Sequence, residues 1–79
     1  MVGVIRHDSA TPVYRQLADL IRGQIESGEL ASGSPVPSES SLMQAHGISR
    51  DSVRKAMDVL RDEGLVVTVQ GKGTYVAEA

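Results

Sequence analysis

The spacing of helix start and stop signals between residues 38 and 64 constrains this chain more than any other feature. Ser38 and Ser49 are residue types that favour helix N-caps, and they lie eleven positions apart. Gly47 stands between them as a stop signal, and Gly64 ends the segment that follows Ser49. Apolar residues at helical spacing in that segment predict a buried stripe: Val53, Ala56, Met57 and Leu60. The pattern therefore predicts a helix-turn-helix, in which two helices are joined by a short turn.

A further helix is predicted before this motif. Thr11 is a good N-cap residue, and Pro12 suits the first helical position, where a missing N–H costs nothing. Apolar residues recur at helical spacing up to a stop at Gly28: Tyr14, Leu17, Ala18, Ile21 and Ile25. Residues 29–37 contain two prolines and a glycine, so we expect an ordered connection there rather than a helix or a strand.

The C-terminal part of the chain favours a β-hairpin. Residues 65–69 are rich in β-branched side chains and follow a helix stop, which predicts a strand. Residues 70–73 include two glycines, which accept positive φ, and they predict a tight turn before a returning strand at residues 74–77. Three helices followed by a hairpin predict a mainly α fold with a small β-hairpin, the winged helix-turn-helix.

The length of 79 residues allows one small domain with a thin core. Residues 1–10 show no sustained apolar period, so we expect a flexible N-terminal arm, with the folded domain at residues 11–79. The three helices and the hairpin direct their apolar residues toward one centre. Only Val2, Val4 and Ile5 remain spare, which is too few for a standard protein interface, and we expect a monomer in solution.

Residue content excludes several functional classes. The chain has no Cys, and its two histidines lack ligand spacing, so we expect no disulfide, no metal site and no cofactor. No serine lies in a nucleophile elbow, and the Gly-Lys-Gly at residues 71–73 is too short for a phosphate-binding loop, so we expect no enzyme. The short apolar runs and the N-terminus resemble neither a membrane span nor a signal peptide, which favours a cytoplasmic protein.

The predicted third helix carries residues suited to contact a nucleic acid. Opposite its buried stripe lie polar and basic side chains: Ser49, Arg50, Ser52, Arg54, Lys55 and Arg61. A helix fits the major groove of DNA, and Arg50 in the first turn is placed to present its guanidinium fork to a guanine. Ser49 and Ser52 are short hydroxyl donors suited to phosphate oxygens, and Arg54 lies one turn beyond Arg50.

The predicted hairpin tip is a second candidate contact. Gln70 and Lys72 supply donors, and Gly71 lets the backbone approach a partner closely, as a wing tip does over a minor groove. Both features also have plainer explanations, because a hairpin turn needs glycines in any case and charged helix faces are commonly only solvated. The net charge of −2 favours the alternative of a winged helix that binds another protein and not DNA.

Four stretches of the chain, in order, carry a family resemblance: PVYRQLADLIRGQIESGEL, VPSE, HGISRDSVRKAMDVLRDEGLV and QGKGTYV. From about Thr11 to Ala79 the chain resembles the DNA-binding domain of the GntR family of bacterial transcription regulators. The resemblance implies a winged helix and, for most members, a repressor that binds a palindromic operator as a dimer and is released by a small effector. It also implies that Arg50 contacts a base, with Ser49, Ser52 and Arg54 on the backbone or bases beside it, and that Gly71 belongs to the wing tip.

Two positions depart from the family pattern. Ser40 follows the Pro-Ser-Glu of the second helix, where the family commonly has an arginine that contacts DNA, and Asp51 stands where many members have Thr or Asn. Both changes remove positive charge from the interface, so they bear on operator identity and affinity. The family's C-terminal domain, which binds effector and dimerises, would lie outside residues 11–79.

The expected partners are therefore double-stranded operator DNA and a second copy of the chain assembled on a palindrome. The candidate DNA-contacting residues are drawn from the second helix, the third helix and the hairpin tip: Ser38, Ser40, Ser49, Arg50, Ser52, Arg54, Lys55, Gln70, Gly71 and Lys72.

Overall fold

Three helices and a two-stranded antiparallel hairpin follow one another in the computed structural model, which describes residues 5–78. The elements, in chain order, are α1 (Val13–Glu26), α2 (Glu39–His46), α3 (Arg50–Asp62), β1 (Val66–Val69) and β2 (Gly73–Val76). This order confirms the predicted winged helix-turn-helix of three helices plus a wing.

The start of α1 differs from the prediction by one residue. Pro12, and not Thr11, is the N-cap, and no side chain caps the helix. The ψ of Pro12 is 145°, which is extended, so this residue precedes the helix instead of forming its first turn. Its carbonyl accepts hydrogen bonds from the amides of Arg15 and Gln16, at 3.1 and 3.2 Å. The predicted stop holds, because α1 ends at Glu26 and Gly28 has a φ of +87°.

The helix-turn-helix is held by the predicted caps. Ser38 Oγ accepts the amide N–H of Ser41 at 3.1 Å, and Ser49 Oγ accepts that of Ser52 at 3.2 Å. Between the two helices Gly47 adopts the left-handed conformation, with φ +63° and ψ 42°, and its amide donates to the Met43 carbonyl at 2.8 Å. This turn fixes the direction in which α3 leaves α2.

The core lies mainly between α1 and α3. The predicted stripe of α3 is buried, and so are Leu17, Ala18 and Ile21 of α1. Burial of a Leu, Ile or Val side chain contributes about 1.5–3 kcal/mol, so these stripes fix the rotation of α3 about its axis. The opposite face of α3 is therefore held outward. The complete core is aliphatic apart from one methionine: Leu17, Ala18, Ile21, Val36, Leu42, Ile48, Val53, Ala56, Met57, Leu60, Val66 and Val76.

The start of β1 and both ends of β2 differ from the prediction by one residue. β1 begins at Val66, and Gly73 is paired with Val69 at the start of β2, so the turn is confined to residues 70–72. The amide of Lys72 donates to the Val69 carbonyl at 3.0 Å. Gly71 takes the third position of this turn with a φ of +80°, the value that a type II turn requires there.

The connection between α1 and α2 is more regular than expected, because residues 34–36 pair with β2. Pro35 forms a β-bridge with Tyr75, and the amide of Val36 donates to the Thr74 carbonyl at 2.9 Å. The amide of Val76 donates to the Ser34 carbonyl, also at 2.9 Å. The wing is thereby attached along one edge to the segment that leads into α2.

The described part of the N-terminal arm contacts the domain. Both amide oxygen and nitrogen of the Gln16 side chain bond the backbone of Arg6, at 2.7 and 2.8 Å. Ile5, which we expected to be spare, packs against the core because Gln16 holds the neighbouring backbone there. The flexibility of residues 1–10 and the domain boundary stay predictions.

One ion cluster ties α1 to the end of α3. Arg22 donates to both carboxylate oxygens of Glu63, at 2.9 and 2.8 Å, and also to Asp19. Hydrogen bonds to Glu63, then to Asp19, hold the pKa of the Arg22 guanidinium above its ordinary value. The cluster supports the packing of α1 on α3 at the end of α3 remote from its N-cap.

Candidate nucleic-acid interface

Two arginines in the N-terminal half of α3 face a single carboxylate on α2. Arg50 Nε lies 3.5 Å from Glu39 Oε1, and Arg54 Nε lies 3.2 Å from Glu39 Oε2. The side chains of Arg50 and Arg54 are 57% and 64% exposed, so this cluster is open to solvent. Because residues four apart share a helix face, both arginines extend over the same edge of α3, the edge nearest α2.

The contacts with Glu39 leave the donors that suit a base available. They run through the Nε atoms, whereas a guanine is bound by a pair of neighbouring guanidinium N–H groups on its O6 and N7. The terminal Nη1 and Nη2 of Arg50 form such a pair at the end of the side chain. Glu39 thus accepts a hydrogen bond from Arg54 Nε and forms a looser ion pair with Arg50 Nε, and both arginine side chains remain more than half exposed.

The other predicted residues of α3 lie elsewhere. Lys55 is on the edge nearest α1, where its Nζ is 3.5 Å from Asp51 Oδ2 and 5.9 Å from the centre of the Tyr14 ring. Ser49 donates its hydroxyl to Ser52 Oγ at 3.2 Å while it caps the helix. The hydroxyls of this serine pair are therefore engaged with each other, and their contact with phosphate stays a prediction.

In α2, Ser38 and Ser40 have different surroundings. Ser38 caps the helix and donates its hydroxyl to Ser41 Oγ at 3.0 Å. Ser40 is exposed in the first turn of α2. Ser38 is exposed as well, but its hydroxyl is engaged in the cap.

The hairpin tip is exposed at Gln70, Gly71 and Lys72. Lys72 also reaches the groove that separates the hairpin from α3. The groove has a volume of about 670 Å³ and has both apolar core residues and polar side chains in its lining. Its walls come from the segment before and into α2, from α3 and from the hairpin: residues 35–40, Leu42, Val53, Arg54, Met57, Asp58, Arg61, Thr68 and residues 72–74. Of the predicted contacts, it brings together Ser38, Ser40, Arg54 and Lys72. The remaining six lie outside it.

Sequence reasoning missed Glu39 and Thr68, and it placed Arg61 on the exposed face of the third helix without including it among the candidate contacts. Glu39 lies in the VPSE stretch, but no local pattern indicates its contacts with arginines that are eleven and fifteen residues away. Arg61 and Thr68 line the groove, and Arg61 Nε donates to Thr68 Oγ1 at 3.2 Å. No local pattern identifies the last contact, because it joins a helix to a strand.

The groove has a different charge balance from the whole chain. It carries three cations, Arg54, Arg61 and Lys72, against the carboxylates of Glu39 and Asp58. Its hydroxyls come from Ser38, Ser40 and two threonines of the strands. The lining of the groove thus carries one more cation than carboxylates, whereas the whole chain has a net charge of −2.

Neither a metal centre nor a membrane span is found between residues 5 and 78. No cluster of three or more His, Asp or Glu side chains in that range could hold a metal ion. The helices of that part of the chain are too short or too polar to cross a bilayer.

Comparison with known sequences identifies close relatives. Residues 13–76 match the model of the gntR family of bacterial regulatory proteins. The mannosyl-D-glycerate transport/metabolism system repressor MngR of Escherichia coli is 48% identical over 67 residues, which cover 85% of this chain and 28% of that protein. The HTH-type transcriptional repressor NagR of Bacillus subtilis is 39% identical over 74 residues, 94% of this chain and 30% of the relative. The chain spans less than a third of the length of either relative.

Solved structures share the fold. The DNA-binding domain of AraR in complex with operator ORX1 has a TM-score of 0.87 and 35% identity, with 96% of each chain covered. YtrA from Sulfolobus acidocaldarius, a GntR-family transcription factor, has a TM-score of 0.86 and 39% identity, with 95% of this chain and 79% of YtrA covered. The resemblance carried by the four sequence stretches is thus confirmed, and the chain belongs to the gntR family of bacterial regulatory proteins.

Proposed function

We propose that this chain is the sequence-specific DNA-binding domain of a transcriptional repressor. It inserts the N-terminal half of α3 into the major groove, and the hairpin tip at residues 70–72 lies over the adjacent minor groove. Arg50 binds a guanine, and Arg54 binds a neighbouring base or phosphate. The observation that carries this proposal is the pair of arginines on one edge of α3, which are 57% and 64% exposed and are both paired at Nε with Glu39.

Relatives and neighbouring structures support the regulatory part of the proposal. MngR and NagR are named as repressors, and the AraR domain is bound to an operator. We extend this to a palindromic operator that binds two copies of the chain, one on each half-site. An effector that releases the repressor would bind a domain outside residues 11–79. The domain itself has no catalytic role, and it acts in the cytoplasm, where bacterial DNA is found.

A winged helix that binds only proteins is the rival function, and titration with a random-sequence duplex separates the two. We expect salt-sensitive binding, since phosphate contacts release counterions and log K falls linearly with log salt. Arg50→Gln with Arg54→Gln should weaken the binding. Arg6→Gln with Arg15→Gln removes the same charge on the side of α1 and serves as the matched control. Absence of duplex binding by the unaltered chain at low salt would favour the rival.

A further inference from the structure

The basic edge of α3 continues beyond the two arginines at its start. Successive residues of an α-helix are rotated by about 100°, so Arg50, Arg54 and Arg61 fall within about 40° of one another. Arg50 and Arg61 lie eleven positions apart, or about 16.5 Å along the helix axis at 1.5 Å per residue. Arg61 therefore extends the same line of cations into the groove beside the hairpin, where Lys72 lines the opposite wall.

Contacts from two elements hold the Arg61 side chain in place. Its Nε donates to Thr68 Oγ1 at 3.2 Å, and its Nη1 donates to Asp58 Oδ1 at 2.7 Å. Arg61 thus crosses from α3 to β1, yet 43% of its side chain remains exposed. An arginine that is already held loses less side-chain freedom when it binds a ligand. The arrangement is suited to an anion that enters the groove from solvent.

We propose that this groove binds the sugar-phosphate backbone of DNA, with Arg61, Thr68 and Lys72 as its phosphate ligands. The proposal rests on the proposed function, because it requires α3 and the hairpin tip to occupy neighbouring grooves of one duplex. The backbone strand that separates those grooves then passes between α3 and the hairpin. Guanidinium, hydroxyl and ammonium groups are all donors that phosphate oxygens accept.

An acidic protein segment would satisfy the same cations, but the position of the groove favours DNA. The groove is lined by Arg54 of α3 and by Lys72 of the hairpin tip, so both elements proposed to contact the duplex border it. The carboxylate of Asp58 pairs with Arg61 within the groove and would repel a phosphate that lacked a cation beside it.

The test compares Arg61→Gln with Arg15→Gln, which removes the same charge from α1. Binding to an operator duplex is measured by fluorescence anisotropy between 50 and 200 mM salt. Loss of one phosphate contact should make the slope of log K against log salt shallower by about 0.9. Between 50 and 200 mM salt, the fold-loss of affinity of the unaltered chain should therefore be about 3.5 times the fold-loss of Arg61→Gln. Arg15→Gln should keep the original slope. An unchanged slope for Arg61→Gln overturns the proposal.

A second measurement locates the phosphate. Neutral methylphosphonate is placed at one backbone position at a time in the operator. One position in each half-site should weaken binding of the unaltered chain by several-fold and weaken binding of Arg61→Gln clearly less, since one of the three proposed ligands of that phosphate is gone. Equal effects on both proteins would overturn the proposal. If the unaltered chain shows no salt-dependent duplex binding at all, the proposed function fails, which is a different outcome from an unchanged slope. Thermal unfolding of each variant confirms that it is folded under the assay conditions.

Discussion

At the scale of single residues, the interface depends on how its arginines are held. Glu39 contacts both Arg50 and Arg54 through their Nε atoms, at 3.5 and 3.2 Å. A free arginine samples many rotamers, and restricting it before DNA binds reduces the entropy lost on binding. In the proposed complex the same carboxylate would bring a negative charge close to the phosphates. We therefore expect Glu39 to favour specificity at some cost in general affinity for DNA.

Replacement of Arg50 by alanine should remove a base contact. If its outer edge binds O6 and N7 of a guanine, Arg50→Ala should weaken operator binding by about 1–3 kcal/mol and relax the preference at one base pair of each half-site. Competition with duplexes altered one base pair at a time measures both effects. A uniform loss of affinity on every sequence would instead make Arg50 a phosphate contact.

Replacement of Glu39 by glutamine should have opposite effects on general and specific binding. Affinity for a random duplex should rise, because a carboxylate facing the phosphates is removed. The ratio of operator to random affinity should fall about two- to fivefold, in keeping with an exposed ion pair of up to about 1 kcal/mol. Glu26→Gln, at the exposed end of α1, is the matched control. A ratio that stays constant in Glu39→Gln would show that Glu39 does not position the arginines.

Ser40 offers a test by gain of charge. It is exposed in the first turn of α2 and lines the groove. Ser40→Arg should tighten operator binding and steepen the slope of log K against log salt by up to about one, because the new cation reaches a phosphate. If both affinity and slope stay as they were, α2 stands further from the duplex than we propose.

At the scale of elements, the turn between α2 and α3 depends on one backbone conformation. Gly47 has a φ of +63°, and a Cβ added there would meet no atom within 4 Å. Gly47→Ala should therefore destabilise the domain by about 1–2 kcal/mol through backbone strain alone. Gly23→Ala is the matched control, since Gly23 lies inside α1 with equal space for a Cβ, and it should stabilise the domain by about 0.5–1 kcal/mol.

Thermal unfolding followed by circular dichroism measures both variants. A domain of this size shifts its Tm by about 4–8 °C per kcal/mol, so the two substitutions should move Tm in opposite directions by readily measured amounts. A Tm of Gly47→Ala at or above that of the unaltered chain would contradict the strain that we assign to this turn.

Local signals predicted the elements well where a side chain meets its own backbone. Ser38 and Ser49 cap α2 and α3 as expected, because the N-cap hydroxyl bonds an amide three residues ahead. The start of α1 was wrong because Thr11 and Pro12 fit two alternative registers, and the contacts of Gln16 with distant backbone were not visible in the sequence. Pairing of residues 34–36 with β2 was missed for the same reason, since a prolyl segment carries no strand signal.

The candidate site was only partly predictable. Exposure of Arg50 and Arg54 follows from helical periodicity, and both are where the sequence placed them. The contact of these arginines with Glu39 cannot be predicted from helical periodicity. Glu39 and Arg54 lie fifteen residues apart in the sequence and meet only after the helices pack. The bond of Arg61 to Thr68 likewise joins two elements. Roles in DNA binding stay predictions for every residue of the set.

At the scale of the whole molecule, charge is unevenly distributed. The groove carries an excess of cations, whereas Asp19 and Glu63 surround Arg22 near the far end of α3. In the proposed complex, a duplex at the groove would thus meet an excess of cations on a molecule whose overall charge is negative. We expect the long-range electrostatic attraction between this chain and DNA to be weak. DNA binding should therefore depend on contacts formed at short range.

The domain should be monomeric in the absence of DNA. Within residues 5–78 the exposed large apolar side chains are Val67 and Val69, at 45% and 39%, and two valines fall short of the roughly 800 Å² per partner of a standard interface. Val2 and Val4, which we expected to be spare, lie outside the described residues. Sedimentation at micromolar concentration should therefore give a single monomer. A stable dimer would reveal an interface that we assign to solvent.

Two copies should meet only on a palindrome, where the DNA itself supplies the effective concentration. Sequence selection from a random duplex pool tests this together with the proposal that the N-terminal half of α3 recognises bases. The unaltered chain should recover a site with two inverted half-sites and a conserved guanine in each, and Arg50→Ala should recover the same site with that guanine relaxed. A pool that remains random, or one in which Arg50→Ala keeps the guanine, would contradict base recognition by α3.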